Sequence, residues 1–505
     1  MRLYSTITAN NNINKLKRFE DIPTLKQLPI IGHSYLFFPG AKYQLERLTE
    51  AVEDISAKLE RLTEAVEDIS AKLGPIFKLK LGGANIIITT DADYTEALVR
   101  HEGKYPIRPT FPALLHYRRL NYGSVGVVPG NGEEWYKYRQ GVLPLLKTNL
   151  VRSYISKHEK IADNFVRYID ENRNECLILE DIFTHLLKYT IEAISVVSPG
   201  HHFQCLSSRN AQDVDDIIAA SIDFMDGLYK TFTGLPIWKY YKNEGYRKLE
   251  TSHQTIHKIL ENHLKNLSTQ TLENLQNANP YMNSLLKNPT YNWNDKLMLT
   301  MEVFLGGIDA TATTIAVTLH HLAHNKKVQN LARNECTQDD TRLPYLKACV
   351  KESLRICPTG GASSRVTITD TNIAGYLIPK HTLVAAFSSV TSNKPEYFDE
   401  PDVYRPERWL RDSNCNVHPF ASVPFGFGPR MCPGRRIAEQ EIVVLLKKIL
   451  TSYELKPIDG DRQKLGMVYR MNRIPDRKIN IKRIKTNRWR QTEIRNGIQD
   501  EPNTG

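Results

Sequence analysis

The chain has 505 residues, of which 41% are hydrophobic, so it is long enough to bury a large core. Its seven cysteines are scattered, and no two are spaced as Cys-x-x-Cys, which argues against a secreted disulfide framework and against a cysteine zinc site. The formal net charge of +11 comes without a nucleic-acid-binding motif, so no nucleic acid partner is expected. An acidic protein partner or an anionic membrane surface is favoured instead, with a generally basic, solvated surface as the alternative.

The N-terminal segment differs in composition from the rest of the chain. It contains four basic residues, several serines and threonines, and no acidic residue. Such a composition is typical of a mitochondrial transit peptide, with a disordered basic tail as the alternative. The segment also lacks the apolar stretch of about 20 residues that a membrane anchor needs. We therefore expect a transit peptide at residues 1–19, a folded domain at 20–484 and a polar, disordered tail at 485–505.

A tandem repeat follows the first prolines of the domain. The fourteen residues ERLTEAVEDISAKL at 46–59 recur unchanged at 60–73. Their apolar residues alternate in steps of four and three, which is the heptad pattern of a coiled-coil seam. One interpretation is a single long helix. The other, which we favour, is a recent duplication or gene-model error of one helix, because two whole heptads keep the apolar face in phase.

The remaining elements predict a mainly helical protein with a small β region. Residues 76–81 and 85–88 flank a Gly-Gly turn and predict a β-hairpin. Residues 130–325 are amphipathic and contain few glycines or prolines, which predicts a long series of helices. Residues 365–390 are rich in β-branched and turn residues, so we expect short strands there.

The stretch 297–324 is the longest apolar helical pattern in the chain. Its five threonines and Asp309 argue against a membrane helix. Near its middle, the glycines at 306 and 307 precede Asp309 and Thr311. Small residues would let a flat ligand lie against the helix, and a carboxylate beside a hydroxyl can move protons.

Two charged or aromatic pairs also share a helical face. Trp135 and Arg139 are four residues apart, and Glu352 and Arg355 are three apart. Either pair alone is a weak signal, because most such pairs lie on a solvated surface.

The most informative segment is FGFGPRMCPG, which runs from Phe425 to Gly434 around Cys432. Its glycines allow a large flat ligand to approach the backbone. A helical pattern begins directly afterwards, so the N–H groups of its first turn would favour a thiolate at Cys432. Arg430 supplies a cation for an anionic ligand edge. These are the requirements of a haem iron held by cysteine, and the alternative is a buried structural cysteine in a turn.

The spacing Phe-x-x-Gly-x-Arg-x-Cys-x-Gly resembles the haem-binding loop of the cytochrome P-450 superfamily, and the resemblance extends roughly from Phe19 to Ile484. It implies the mainly helical cytochrome P-450 fold with haem b as cofactor. The implied reaction inserts one atom of dioxygen into a small lipophilic substrate, either sterol-like or foreign, and releases the other as water. The N-terminal composition is typical of the mitochondrial branch. The stretch from Glu102 to Pro109 and the segment around Trp238 resemble arthropod-like members of that branch.

The resemblance also implies roles for individual residues. Cys432 would ligate iron, and the cofactor-binding residues would be Trp135, Arg139, Gly307, Arg365, Phe425, Gly428, Arg430 and Gly434. Asp309 and Thr311 would be catalytic. The chain departs from the family at Ala310, which stands where the proton-delivering threonine is usual. Thr311 would then reach in through a π-bulge, or water would act with Asp309, or oxygen activation would be poorly coupled.

Further residues match structural and partner sites of the family. Glu352, Arg355 and Arg408 resemble its buried charged triad. Lys347, Lys351 and Arg436 match contacts of the mitochondrial branch with a [2Fe–2S] ferredoxin, which its NADPH-dependent reductase reduces. Because the chain has no dinucleotide-binding fingerprint, its electrons must come from outside. The implied location is the matrix side of the mitochondrial inner membrane, in peripheral contact with it.

Two other functions stay open at this point. A haem-thiolate isomerase or dehydratase would need no electron donor, and Ala310 removes the usual proton donor of a monooxygenase. A catalytically inactive haem-binding protein is the second alternative.

Overall fold

The computed structural model describes residues 16–27, 33, 62–81, 84–207, 212–233, 236–269, 279–338, 342–413, 415–469 and 471–485. Within these ranges, helices dominate and strands are short, so the predicted mainly helical fold with a small β region is confirmed.

The helices are numbered in chain order. The first eight are α1 Leu62–Leu73, α2 Ala92–Arg100, α3 Pro112–Tyr122, α4 Gly132–Val142, α5 Thr148–Arg152, α6 Ile155–Glu171, α7 Ile182–Ser195 and α8 Gln212–Thr233. The others are α9 Glu244–Ser268, α10 Pro280–Lys287, α11 Trp293–Gly306, α12 Asp309–His324, α13 Lys326–Cys336, α14 Pro344–Ile356, α15 Ser388–Thr391 and α16 Arg435–Ser452. Short 3₁₀ turns lie at Phe19–Asp21, Leu143–Leu146, Pro236–Lys239, Pro406–Trp409 and Gly428–Arg430.

The strands form four small sheets. They are β1 Ile76–Leu81, β2 Ala84–Thr89, β3 Ile178–Leu179, β4 Ser363–Val366, β5 Thr371–Ile373, β6 Tyr376–Ile378, β7 Leu383–Ala386, β8 Tyr453–Pro457, β9 Met467–Tyr469, β10 Arg473–Pro475 and β11 Ile481–Lys485. The largest sheet has the order β1-β2-β7-β4, with β2 and β7 parallel and its other pairs antiparallel. The pairing of β1 with β2 confirms the predicted hairpin, whereas its turn at 82–83 lies outside the described residues.

Helices α11 and α12 run through the centre of the largest core cluster. Every residue from Thr311 to Ala323 is buried, as expected for a helix that is apolar on all sides. By length and composition alone, residues 293–324 could span a membrane, but most of this stretch is buried inside the fold. It is therefore a core helix, in agreement with the interpretation of its threonines and Asp309.

The second copy of the repeat forms α1, which packs Val66 and Ile69 against the large sheet. It ends at Gly74, whose φ of +92° is readily adopted only by a residue without a side chain, and whose N–H donates to Ser70 O at 2.9 Å. The first copy, at 46–59, lies outside the described residues.

The fold begins earlier than the sequence analysis placed it. Lys17 N–H donates to Gly375 O, and Leu377 N–H donates to Lys17 O, both at 3.0 Å. The domain boundary expected after residue 19 is therefore corrected to a position at or before Lys17. Residues 1–15 of the expected transit peptide and residues 486–505 of the expected tail lie outside the described residues.

Candidate functional site

The segment around Cys432 closes into a tight loop directly before α16. Gly426 and Gly428 both have φ values of +68°, and Cys432 N–H donates to Phe425 O at 2.9 Å, so the two arms of the loop are tied together. Glycine is required at these positions because other residues rarely adopt positive φ. The loop therefore fixes the position of the Cys432 sulfur relative to the first turn of α16.

The sulfur lies among hydrogen-bond donors and positive charge. Burial raises the pKa of the Cys432 thiol, and this shift is opposed by the N–H of Gly434, by the Arg139 guanidinium and by the N–H of Arg435. Burial outweighs the stabilisation of thiolate that the sequence predicted from the helix N-terminus. Coordination to a metal deprotonates such a thiol outright, because the cation supplies the missing positive charge. The sulfur thus has the surroundings of a metal ligand.

Four guanidinium groups, which we call the arginine cluster, lie close to one another beside this loop. Its members are Arg108, Arg139, Arg365 and Arg430. Burial, followed by the charges of Arg108, Arg365 and Arg139, lowers the pKa of Arg430 to about 8. Burial also lowers the pKa of Arg108 to about 10. Like charges held together inside a protein require anions, and the Glu102 carboxylate contacts Arg365 while that of Glu302 acts on Arg108.

Two nitrogen atoms of this cluster, Arg430 Nη1 and Arg108 Nε, are buried and have no hydrogen-bond partner among the residues that the structure describes. The other nitrogens of Arg430 donate to Pro106 O, Gly130 O and Asn131 Oδ1. Its guanidinium also stacks 3.9 Å from the ring centroid of Trp135. Buried donors without partners are uncommon in folded proteins, so this arrangement fits an anionic ligand. The carboxylates of a haem would satisfy it while the sulfur of Cys432 takes the iron.

Arg365 differs from its expected role as a propionate contact. Its Nε donates to Glu102 Oε2 at 2.5 Å, and its other nitrogens donate to Ser364 O and Phe427 O. Three of its five N–H groups are therefore engaged with the protein, so it contributes mainly charge to the cluster. A Cβ atom at Gly428 would lie 2.0 Å from Glu102 Oε1, so this glycine makes room for the carboxylate.

Glu102 and Arg108 take part in this cluster, and the sequence analysis gave neither of them a role in the site. Glu102 carries no recognisable motif, and its partner Arg365 is 263 residues further along the chain. Arg108 follows in the same stretch and appears ordinary in sequence. No local signal could have joined them to the Cys432 loop, because only the tertiary fold brings these segments together.

The central helix is broken beside this site. Gly307 N–H donates to Phe304 O at 3.2 Å and Ile308 N–H to Leu305 O at 3.4 Å, and α12 then begins at Asp309. These are i→i+3 bonds, whereas a π-bulge has i→i+5 bonds. The π-bulge that we considered for bringing Thr311 into the site is therefore wrong.

The residues around the break face different surroundings. Asp309 and Ala310 are half-buried, but Thr311 is buried at 3% exposure and lies about 200° around the helix from Asp309. Burial raises the pKa of Asp309 to about 6. The carboxyl group, rather than the Thr311 hydroxyl, is placed to exchange protons near neutral pH.

The two glycines at the break have different surroundings. A Cβ atom at Gly307 would lie 2.5 Å from Ile194 Cγ1 on α7, whereas Gly306 has open space beside it. Gly307 is therefore needed for helix packing, in addition to the cofactor contact expected of it.

The three residues of the predicted charged triad meet in the core. Glu352 Oε1 accepts from Arg355 Nη2 at 2.8 Å and from Arg408 Nε at 3.0 Å, and all three side chains are buried. Trp409 Nε1 donates to Glu352 Oε2 at 2.8 Å. The carboxylate thus joins α14 to the 3₁₀ turn at Pro406–Trp409.

The three residues predicted to contact a ferredoxin are all exposed. Lys347 and Lys351 lie one turn apart on α14, and Arg436 lies in the first turn of α16. Lys351 Nζ stands 6.0 Å above the Trp409 ring, which connects this surface to the charged triad.

Comparisons with known proteins agree with this site. A model of the Cytochrome P450 family matches residues 55–474. The chain is 30% identical to "Probable cytochrome P450 49a1" of Drosophila melanogaster over 94% of this chain and 84% of the relative. It is 30% identical to the mitochondrial sterol 26-hydroxylase of Oryctolagus cuniculus over 82% of both chains. It is 28% identical to the human mitochondrial 25-hydroxyvitamin D-1 alpha hydroxylase over 81% of this chain and 85% of the relative. The chain belongs to the cytochrome P450 family and is a monooxygenase with haem b as its cofactor.

Proposed function

We propose that this monooxygenase is mitochondrial, hydroxylates a sterol-like or other lipophilic substrate, and takes its electrons from a [2Fe–2S] ferredoxin. The observation that carries the proposal is the Cys432 loop set beside the buried arginine cluster. The substrate class and location are supported by relatives named as a mitochondrial sterol 26-hydroxylase and a mitochondrial vitamin D hydroxylase.

When bound, haem b supplies the activation of dioxygen, of which one atom enters the substrate and the other leaves as water. Cys432 would hold the iron. The N–H groups of Gly434 and Arg435 would orient its sulfur and share its negative charge. The glycines at 426 and 428 give the loop the positive φ values that this position of the sulfur requires.

The arginine cluster would hold the anionic edge of the cofactor. Arg139 and Arg430, with Trp135 beneath the Arg430 guanidinium, are the expected direct contacts. Arg108 joins them because its buried Nε has no partner within the described residues. Arg365 would act by positioning and charge, since Glu102 already holds its guanidinium.

Asp309 would hold and move the protons that the reaction consumes. A carboxyl with a pKa of about 6 exchanges protons readily near pH 7, where both forms are present. Because Ala310 carries no hydroxyl and Thr311 is buried, water beside Asp309 would complete the relay. We therefore assign Asp309 as the catalytic residue and give Thr311 only a structural part.

Electrons would arrive over the exposed basic surface of Lys347, Lys351 and Arg436. Opposite charge on an acidic ferredoxin would steer its approach, and this effect weakens as salt increases. The triad of Glu352, Arg355 and Arg408 would hold α14 rigid beneath this surface.

Membrane contact would involve exposed aromatic residues in the last turn of α8 and in the segment that leads to α9. Phe232, Tyr240 and Tyr241 are exposed by 45%, 92% and 63%, and Lys239 and Lys242 lie beside them. Aromatic side chains with flanking lysines suit the interface of an anionic membrane. We place this contact on the matrix side of the inner membrane.

The test is reconstitution of the purified holoenzyme with a mitochondrial ferredoxin, its reductase and NADPH, using a panel of sterols. We expect a product heavier by one oxygen atom, labelled by ¹⁸O₂, with no product when ferredoxin is omitted. Asp309→Asn should lower product per NADPH and raise peroxide. Conversion of substrate without any reductant would indicate an isomerase or dehydratase, and peroxide without product from every substrate would indicate an inactive haem protein.

A further inference from the structure

A second cluster of potential ligands lies at the far end of the central helix from Asp309. His320 and His324 stand one turn apart on α12, and Asp461 approaches them from the loop after β8. Asp461 Oδ2 lies 3.6 Å from His320 Nδ1 and 3.6 Å from His324 Nε2. The three atoms all lie within 4.8 Å of one another. Nothing in the proposed reaction uses them.

Hydrogen bonds to carbonyl groups fix the tautomer of both rings. His320 Nε2 lies 3.0 Å from Gln463 O, and His324 Nδ1 lies 3.0 Å from the carbonyl oxygen of His320. A carbonyl oxygen can only accept, so each of these nitrogens carries the proton. When a ring is neutral, its lone pair therefore belongs to His320 Nδ1 or His324 Nε2, the nitrogens that face Asp461 Oδ2.

The protein leaves one of these lone pairs without a partner. His324 Nε2 is buried and makes no hydrogen bond, and its side chain is only 8% exposed. The 3.6 Å separation from Asp461 is too long for a hydrogen bond. A lone pair facing a carboxylate oxygen is unfavourable unless a proton or a metal cation lies between them.

The spacing matches a small tetrahedral cation. Bonds of 2.0–2.1 Å to such an ion place neighbouring ligand atoms about 3.3–3.4 Å apart. The two 3.6 Å distances to Asp461 need a movement of only a few tenths of an ångström, and the two histidine nitrogens lie within 4.8 Å of each other. Arg477 Nε stands 3.5 Å from the other oxygen, Asp461 Oδ1, and so orients the carboxylate with Oδ2 toward the histidines.

We propose that His320, His324 and Asp461 bind a divalent cation of the zinc type. Two imidazoles with one carboxylate suit zinc better than the all-oxygen ions calcium and magnesium. The Asp461 side chain is 12% exposed, so water can reach the fourth position. The ion would fasten the loop that leads into β9 and β10 to the end of α12. Its role is structural, because it lies away from Asp309 and Cys432.

Metal analysis of the tag-free holoenzyme tests this site. After equilibration at micromolar free zinc and removal of excess, we expect about one zinc per haem, measured beside iron. His324→Gln and Asp461→Asn should each weaken zinc binding by at least about 100-fold. His101→Gln, at an exposed histidine elsewhere, should leave zinc binding unchanged. Wild-type enzyme that retains no zinc, or variants that retain it fully, would overturn the proposal.

Zinc K-edge absorption of the wild-type enzyme gives an answer that does not depend on how the variants fold. The site predicts nitrogen and oxygen ligands at about 2.0–2.1 Å with the scattering pattern of imidazole. Sulfur at about 2.3 Å would instead place the zinc on cysteines and refute the assignment.

Discussion

At the residue scale, the burial that raises the pKa of Asp309 also lowers the stability of the folded protein at neutral pH. Burial raises the pKa of its carboxyl from 3.8 to about 6. The unfolded chain ionises this group near its ordinary pKa, whereas the folded chain resists ionisation until higher pH. Stability is therefore lost as pH rises between about 4 and 6 and stays lower above that range.

Replacing the Asp309 carboxyl with a neutral amide should restore the stability that is lost when the carboxyl ionises. Asp309→Asn is expected to be more stable than wild type at pH 7.5 by up to about 3 kcal/mol, because two pKa units correspond to that amount. The difference should shrink toward pH 4, where the folded wild type is protonated, and should vanish below about pH 3, where the unfolded chain is protonated as well. Urea unfolding of the holoenzyme at several pH values measures it. A stability difference that does not change with pH would contradict the assigned burial.

Sequence predicted some residues of the site far better than others. Cys432, Phe425 and Arg430 lie in one continuous motif, so their proximity follows from the chain itself. The burial of Thr311 and the packing of Gly307 against Ile194 were not predicted, because a helix of uniform composition does not reveal which of its faces meets open space. Glu102 could not be found, since nothing local joins it to Arg365.

At the element scale, the break between α11 and α12 follows from its glycines but not in the form expected. The sequence indicated a long core helix, and the structure has one with an i→i+3 interruption at Gly307 and Ile308. At this break, Gly307 packs against Ile194 of α7, whereas Gly306 lies beside open space. Hydrophobic periodicity cannot predict such a contact between helices that are distant in sequence. The hairpin of β1 and β2 was predicted because it depends on a local turn.

A pair of alanine substitutions tests this packing. Gly307→Ala should destabilise the enzyme by about 1–3 kcal/mol, because the new methyl group overlaps Ile194. Gly306→Ala, which meets open space, should leave the unfolding free energy within about 1 kcal/mol of wild type. Adding Ile194→Ala to Gly307→Ala should reduce the penalty specific to the overlap, as a double-mutant cycle would measure. Full additivity of the two substitutions would rule out the contact.

The charged triad should be essential for the fold around α14. In Glu352→Ala two buried guanidinium groups lose their carboxylate, which costs about 3–5 kcal/mol. We expect a large loss of haem per protein, measured by absorbance. Glu396→Ala, which removes an exposed carboxylate paired with Lys394, is the control and should keep full haem. Normal haem content in Glu352→Ala would show that the triad is dispensable.

At the scale of the whole molecule, the net charge of +11 does not identify a partner, whereas the positions of the basic residues on the surface can. The total predicted an acidic partner or membrane in general terms. The structure adds that Lys347, Lys351 and Arg436 are exposed on α14 and α16. The overall fold followed from motif order and helical periodicity, while the relative placement of distant segments required the tertiary structure.

Charge reversal tests whether this surface steers a ferredoxin. Lys351→Glu should lower the association rate at low salt by about tenfold, with the difference fading as salt screens the charges. Lys326→Glu makes the same charge change at an exposed site paired with Glu454 and should have a smaller effect. Stopped-flow reduction of the holoenzyme measures both. Equal effects from the two variants would indicate that only net charge matters.

The central claim is that the Cys432 thiolate is the iron ligand of a bound haem. The most direct measurement is the absorption spectrum of the reduced, carbon monoxide-bound holoprotein. The account predicts a strongly red-shifted Soret band in the wild type and, in Cys432→His, retention of haem without that shift. A wild-type spectrum without the red shift, or a variant that keeps it, would contradict the claim.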